Sequence, residues 1–219
     1  EEERQDMKYR QIIWDFNGTL LDDVAETLEA TNALLARHHK PVLADADAYR
    51  RVFGFPVVDY YEKIGLEREY FETYADEWVA EYIRRAPQAG LYPGCREALA
   101  FFKASGCRQY LLSATEREML AGQLAPLGIA SFFDDIVGQD DTRAHGKLAA
   151  AVEWSKKVNL SAALLIGDSL HDAEVAAAIG ADCVLLACGH QNRERLEATG
   201  CRVFDTVTDL LHAAEKEEP

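Results

Sequence analysis

From residue 90 onward, short apolar runs rich in leucine, isoleucine and valine alternate with stretches of helical pattern. The runs fall at 109–113, 133–137, 162–166 and 182–186, with a fifth near the start of the chain at 12–16. No other pattern in the sequence limits the fold so tightly. Two parallel strands in one sheet need a crossover of a dozen or more residues, usually a helix, and strand–helix alternation is how a sequence supplies it. The prediction is an α/β fold: a doubly wound (Rossmann-like) parallel sheet of five strands, extended by a sixth at 202–204. One local signal competes with this reading. Asn17-Gly18 between apolar residues is a good two-residue hairpin turn. That turn needs a second strand, whereas residues 24–37 place apolar side chains at helical spacing among good helix formers. The first unit therefore reads as strand, acidic loop, helix.

Residues 23–90 lack the alternation. Their pattern is helical, broken at Lys40-Pro41, Gly54-Phe55-Pro56, Gly65 and Ala86-Pro87. This predicts a small helical domain (23–90) inserted after the first strand, with the core formed by 1–22 and 91–219. Tyr70, Phe71, Tyr74, Trp78 and Tyr82 recur at three- and four-residue steps and are assigned to the packed interior of that insert.

Charge narrows the function classes. A net charge of −15 disfavours a chain that grips nucleic acid through its phosphates. No apolar run approaches the ~20 residues that span a bilayer, so no membrane role is expected. The acidic start, residues 1–6, has neither the basic segment nor the apolar middle of a secretory signal, which points to a cytoplasmic protein. Five cysteines without a Cys-x-x-Cys pair suggest reduced thiols rather than a zinc cage or disulfide framework. A monomer or weak homodimer is expected.

In a doubly wound sheet, ligands lie beyond the carboxyl ends of the strands, so the polar residues there carry the information. The first strand ends in Asp15, the second in Ser113, a later one in Gly167-Asp168 with Asp172 following, and Lys147 opens a helix after Gly146. Singly, Ser113 is an ordinary strand-end hydroxyl and Lys147 a solvated helix residue; the joint register with Asp15 and Asp168 makes both candidates. Asp15 and Asp168 on adjacent strands suit Mg²⁺, which favours a few carboxylates, waters and substrate phosphate oxygens. With that ion and Lys147 screening the charge, Asp15 can attack phosphorus, while Ser113 and loop N–H groups hold the remaining phosphoryl oxygens.

Taken in order, Asp15-Phe16-Asn17-Gly18-Thr19, strand-end Ser113, Lys147 and Gly167-Asp168 with Asp172 resemble the four motifs of the haloacid dehalogenase superfamily, in its phosphatase branch. Tyr92-Pro93-Gly94, Gly138-Gln139-Asp140-Asp141, Ile179-Gly180-Ala181-Asp182 and residues 51–56 resemble its phosphoglycolate phosphatase-like members. The resemblance implies a Mg²⁺-dependent phosphatase acting on a small phosphorylated metabolite through an aspartyl-phosphate on Asp15. It implies metal ligation by Asp15, the main-chain carbonyl of Asn17, and Asp168, with Asp172 supporting. It implies phosphoryl contacts from Gly18, Thr19, Ser113, Ala114 and Lys147, and a mobile cap formed by 23–90.

One position departs from the family. Most of these phosphatases carry Asp where this chain has Asn17, and that Asp protonates the departing alcohol and then activates the water. A missing general acid/base costs about 10²- to 10⁴-fold in rate. Three readings follow: a hydrolase of esters whose leaving group needs no proton, or one that borrows an acid from the cap, where His38, His39 and Lys63 are candidates; a phosphotransferase or mutase; or a phosphate-ligand-binding regulator. The first is preferred because Asp15, Lys147, Asp168 and Asp172 are all retained. His145, His171 and His190 are read as exposed loop histidines, and Arg50 and Arg51 as a solvent-facing pair, with a substrate carboxylate as the alternative partner.

Overall fold

The computed structural model describes residues 7–143 and 146–216; the acidic first six residues, His145 and the last three residues lie outside them. The sheet begins with β1 (Gln11–Trp14) and is completed by β4 (Arg108–Glu116), β5 (Asp135–Gln139), β6 (Ala163–Gly167), β7 (Asp182–Leu186) and β8 (Arg202–Phe204). All pairings are parallel, in the order β5-β4-β1-β6-β7-β8. The expected doubly wound sheet is thus present, with the C-terminal run as its sixth strand.

Why these runs form interior strands is visible in their burial. Ile12, Ile13 and Trp14 are fully buried, as are Leu164, Leu165 and Ile166, because a parallel sheet is covered on both faces. Successive side chains point to opposite faces. Ile12 and Trp14 pack with Phe102, Leu111, Ile166 and Leu210 on one face, beneath α5 (Cys95–Ala104), α6 (Arg117–Leu127) and α10 (Val207–Glu215). Ile13 packs with Leu112, Trp154, Leu165 and Val175 on the other, beneath α7 (Leu148–Ser155) and α8 (Leu170–Ile179). A short helix, α9 (Arg193–Glu197), joins β7 to β8.

Two strand boundaries differ from the sequence reading. The strand expected at 133–137 begins two residues later, because Ala130–Phe132 forms a 3₁₀ turn and the Asp134 carboxylate accepts from the Gln109 N–H at 2.9 Å. The strand expected to end at Ser113 continues to Glu116, with a register irregularity between Leu112 and Glu116.

Between β1 and β4 the chain leaves the sheet. A two-stranded antiparallel ribbon, β2 (Leu21–Asp22) with β3 (Gly90–Leu91), pairs the ends of this excursion. Within it lie α1 (Val24–Arg37), α2 (Ala46–Val52), α3 (Val57–Lys63) and α4 (Phe71–Arg85). Its own apolar cluster gathers Leu34, Leu35, Tyr49, Tyr60, Phe71 and Tyr74. The aromatic stripe on α4 divides: Phe71 and Tyr74 are buried in this cluster, Tyr70 is 53% exposed, Trp78 packs against the cluster and also lines a cavity against the sheet edge, and Tyr82 lines that cavity.

Candidate active site

In chain order the six core strands run 3-2-1-4-5-6 across the sheet, so the winding reverses between β1 and β6. The crevice at that reversal is where open α/β sheets bind ligands. Trp14 pairs with Ile166, and the Asp15 N–H donates to the Ile166 carbonyl at 2.9 Å, so Asp15 and Asp168 leave neighbouring strands at the same level. Oxygens of Asp15, Asp168 and Asp172, all buried, lie within 4.8 Å of one another.

Lys147 enters from the residue before α7 and is 2% exposed. Its ammonium donates to Asp15 Oδ1 and to the Leu112 carbonyl at 2.9 Å, and forms an ion pair with Asp172 Oδ1 at 2.6 Å. Two of the three buried carboxylates thus share one ammonium. Burial pushes Asp15 up to about 8; Lys147 opposes this, and Asp172 and Asp168 add to it. Burial likewise pushes Asp168 up to about 6, with the His190 charge opposing and the Asp172 charge reinforcing. For Asp172 burial is outweighed, and Lys147 holds it below the ordinary carboxylate range. An excess of hard, anionic oxygen donors fits a divalent cation of the Mg²⁺ type.

The loops at this edge are shaped around those carboxylates. Asp172 sits in the first turn of α8, where its Oδ2 accepts from the N–H groups of Asp168 and Ser169 at 3.1 and 3.0 Å and from Ser169 Oγ at 2.6 Å. The Thr19 hydroxyl donates to Asp168 Oδ1 at 3.2 Å, and the His190 N–H to Asp168 Oδ2 at 2.5 Å. Gly18 adopts φ +76°, and a Cβ there would lie 2.4 Å from Asp168 Oδ2. Ser113, fully buried, and Ala114 line the same cavity, with the Ser113 hydroxyl accepting from the Thr115 N–H at 3.1 Å.

Asn17 is engaged at both polar atoms of its side chain. Its Nδ2 donates to Asp23 Oδ2 at 2.9 Å and to the Tyr82 hydroxyl at 3.0 Å, while its Oδ1 accepts from Thr115 Oγ1 at 2.7 Å. Asp23, 1% exposed, is the hub: it also accepts from Tyr82 Oη at 2.6 Å and from the Gly18 N–H at 3.0 Å, and faces His190 Nε2 at 3.2 Å. Burial opposes ionisation of both partners, yet the His190 charge holds Asp23 low and the Asp23 charge lifts His190 to about 9. Sequence reasoning missed Asp23, Tyr82, Thr115 and His190; the only hint was the second carboxylate of Asp22-Asp23 beside the strand-end motif.

Several sequence readings need correction. His171 and His190 are buried, at 8% and 5% exposure, and are not exposed loop residues. His171 Nε2 accepts from the Lys147 N–H at 2.9 Å. His190 Nδ1 pairs with the Tyr49 hydroxyl at 2.9 Å. Arg50 is half-buried and binds the carbonyls of Gly189 and Cys188 at 2.8 and 2.9 Å, whereas Arg51 is exposed. His38, His39 and Lys63 do not line the cavity; His38 pairs with Glu77 at 2.7 Å, and Lys63 and His39 are exposed.

A family profile described as haloacid dehalogenase-like hydrolase matches residues 12–186, which include Asp15, Asn17, Ser113, Lys147, Asp168 and Asp172 but stop short of His190. The chain belongs to the haloacid dehalogenase-like hydrolases. Among curated relatives of this enzyme family, a phosphoglycolate phosphatase of Pseudomonas savastanoi pv. phaseolicola is 27% identical over 212 residues, covering 91% of this chain and 78% of the relative. One of Caulobacter vibrioides is 25% identical, covering 89% and 86%. The solved structure of a haloacid dehalogenase-like hydrolase from Streptococcus pneumoniae superposes with a TM-score of 0.80 at 18% identity, covering 94% of this chain and 98% of that one. Among the described residues no helix of this family member is long and apolar enough to cross a membrane.

Proposed function

We propose that the protein is a Mg²⁺-dependent phosphatase that hydrolyses a small phosphorylated metabolite through an aspartyl-phosphate on Asp15. The observation that carries this reading is the meeting of Asp15, Asp168 and Lys147 at the point where the sheet reverses its winding. Asp15, Asp168 and the main-chain carbonyl of Asn17 would hold the ion, with Asp172 supporting. Bound there, Mg²⁺ supplies positive charge to phosphoryl oxygens.

The side chains supply the rest. Lys147 orients the Asp15 carboxylate and offsets charge on the incoming phosphate. Ser113 and Ala114 line the cavity where the phosphoryl group would sit, while Gly18 and Thr19 donate to Asp23 and Asp168 beside it; buried donors of this kind are worth more than in water. Residues 23–90 act as a cap over the core of 1–22 and 91–219. Support comes from the bonds that join the two parts: Arg50 to the Cys188 and Gly189 carbonyls, Arg195 to the Phe53 carbonyl at 2.6 Å, and Arg143 to Glu72 and Asp76 at 2.5 and 2.8 Å. The amide of Asn17, held by Asp23, Tyr82 and Thr115, cannot donate and recover a proton as a carboxyl does.

The test is phosphate release from a panel of phosphoesters with Mg²⁺, with chelator, and with the Asp15→Ala variant. Release that needs both the ion and Asp15 is expected. No release from any ester, together with thermal stabilisation by the same esters, would instead favour a binding protein.

A further inference from the structure

The cavity above the carboxylates has two unlike walls. The sheet side carries the charges. Among the described residues, the wall formed by α1–α4 and their loops carries one charge, Asp23 at the start of α1, which faces His190; the rest is uncharged and largely aromatic: Tyr49, Phe53, Phe55, Tyr60, Trp78 and Tyr82. The polar tips of these rings are already engaged. The Tyr49 hydroxyl pairs with His190, that of Tyr82 donates to Asp23, and the Trp78 indole N–H donates to Thr31 at 3.1 Å. The aromatic surface reaches the chemical end of the site. Phe55 lies over the His171 ring at 5.0 Å between centroids, and Phe53 over His190 at 5.2 Å.

A substrate carrying a second anion, such as a carboxylate, would have to be met by a cation on this wall. The basic groups lining the cavity among the described residues all face carboxylates: Arg143 meets Glu72 and Asp76, Lys147 meets Asp15 and Asp172, and His190 meets Asp23. Placing an unpaired carboxylate against apolar rings is strongly unfavourable. Independently, the amide of Asn17 has no proton to give, and both its amide N–H groups and its carbonyl are engaged by Asp23, Tyr82 and Thr115. Position 17 therefore gives the leaving oxygen no proton, which favours a group that departs as an anion. A phenol, with a pKa of about 10 like tyrosine, does this far more readily than an aliphatic alcohol.

We propose that the site takes phosphate monoesters of phenols, with the aromatic ring seated among Phe53, Phe55, Tyr60 and Trp78 and the phosphoryl group on Asp15. The inference rests on the phosphatase reading above. An Asp15 oxygen bonds to phosphorus as the phosphorus–aryl oxygen bond breaks, and the electron pair stays on the phenolate, which takes a proton from solvent. Water then bonds to phosphorus, the bond to Asp15 breaks with its electron pair returning to the carboxylate, and one proton passes to solvent as phosphate leaves.

The experiment compares kcat/KM for phenyl phosphate, ring-substituted phenyl phosphates and 2-phosphoglycolate, using the full chain with Mg²⁺. Phenyl phosphate should exceed 2-phosphoglycolate by about 100-fold or more, the scale of a missing general acid. Within the ring series, kcat should climb as the phenol becomes more acidic. Phe55→Ala should lower the ratio of kcat/KM for phenyl phosphate to that for acetyl phosphate by about tenfold, the worth of a lost ring contact. Turnover of 2-phosphoglycolate equal to or above that of phenyl phosphate, or an unchanged ratio in Phe55→Ala, overturns the inference and leaves the phosphatase reading standing. No phosphate from any ester overturns both.

Discussion

Restoring the family's usual carboxyl with Asn17→Asp perturbs more than the chemistry. In the native site Asn17 Nδ2 donates to Asp23 Oδ2 at 2.9 Å, and Asp23 is buried. The variant keeps the acceptor that Thr115 uses, loses both donors, and sets a second carboxylate against the first. Two carboxylates at that distance cannot both ionise in a buried site, so one proton is retained and the folded-state pKa of the new group rises. A rise of about two units from the unfolded value near 4 corresponds to about 3 kcal/mol. The sign is that of a raised carboxyl: the penalty is absent below about pH 4, grows as pH rises through the folded pKa, and is constant above it. Urea unfolding of both proteins across that range measures it. The same retained proton lies where a general acid belongs, so turnover of alkyl phosphates should gain about 10²-fold and that of phenyl phosphates much less. Equal stability at every pH, or equal gains for the two ester classes, would refute the reasoning.

Other perturbations follow from the same contacts. His190, raised from 6.5 to about 9, contributes stability that is fully present below pH 6.5 and lost as pH rises through 9. Unfolding curves between pH 7 and 10 should show a decline of about 3 kcal/mol in the native protein that His190→Gln lacks. Lys147→Met leaves Asp15 and Asp172 buried without their shared ammonium; a loss of about 3–5 kcal/mol is expected in chemical denaturation at neutral pH, with no phosphate release. Gly18→Ala forces a Cβ to within 2.4 Å of Asp168 Oδ2 at φ +76°. The native protein should gain about 2.7 kcal/mol from Mg²⁺ at a hundred times its Kd, and thermal unfolding of the variant should show that gain reduced or lost.

How much of this was legible in the sequence depended on whether the signal was local. The strands at 12–16, 162–166 and 182–186 announce themselves because a doubly covered strand must be continuously apolar. Asp15 and Asp168 followed because strand ends in parallel register share a level, so a one-dimensional pattern fixed a spatial neighbour. The network around Asn17 had no such signal. Asp23, Tyr82, Thr115 and His190 come from four separate segments and meet only when the helical excursion folds back onto the sheet edge. His190 looked like a loop histidine because nothing near it in sequence reports that Tyr49 and Asp23 enclose it. The α4 stripe misled in part for a related reason: helical periodicity marks a buried face but does not distinguish a packed interior from a cavity wall, and Tyr82 serves the latter while Trp78 serves both.

The central claim is that Asp15 takes the phosphoryl group. Acid quenching of the native protein during turnover of phenyl phosphate with Mg²⁺, followed by peptide mass analysis, examines it directly. A phosphoryl group on the peptide containing Asp15, absent from Asp15→Asn, which also releases no phosphate, is the expected result. Undiminished phosphate release by Asp15→Asn would contradict the account.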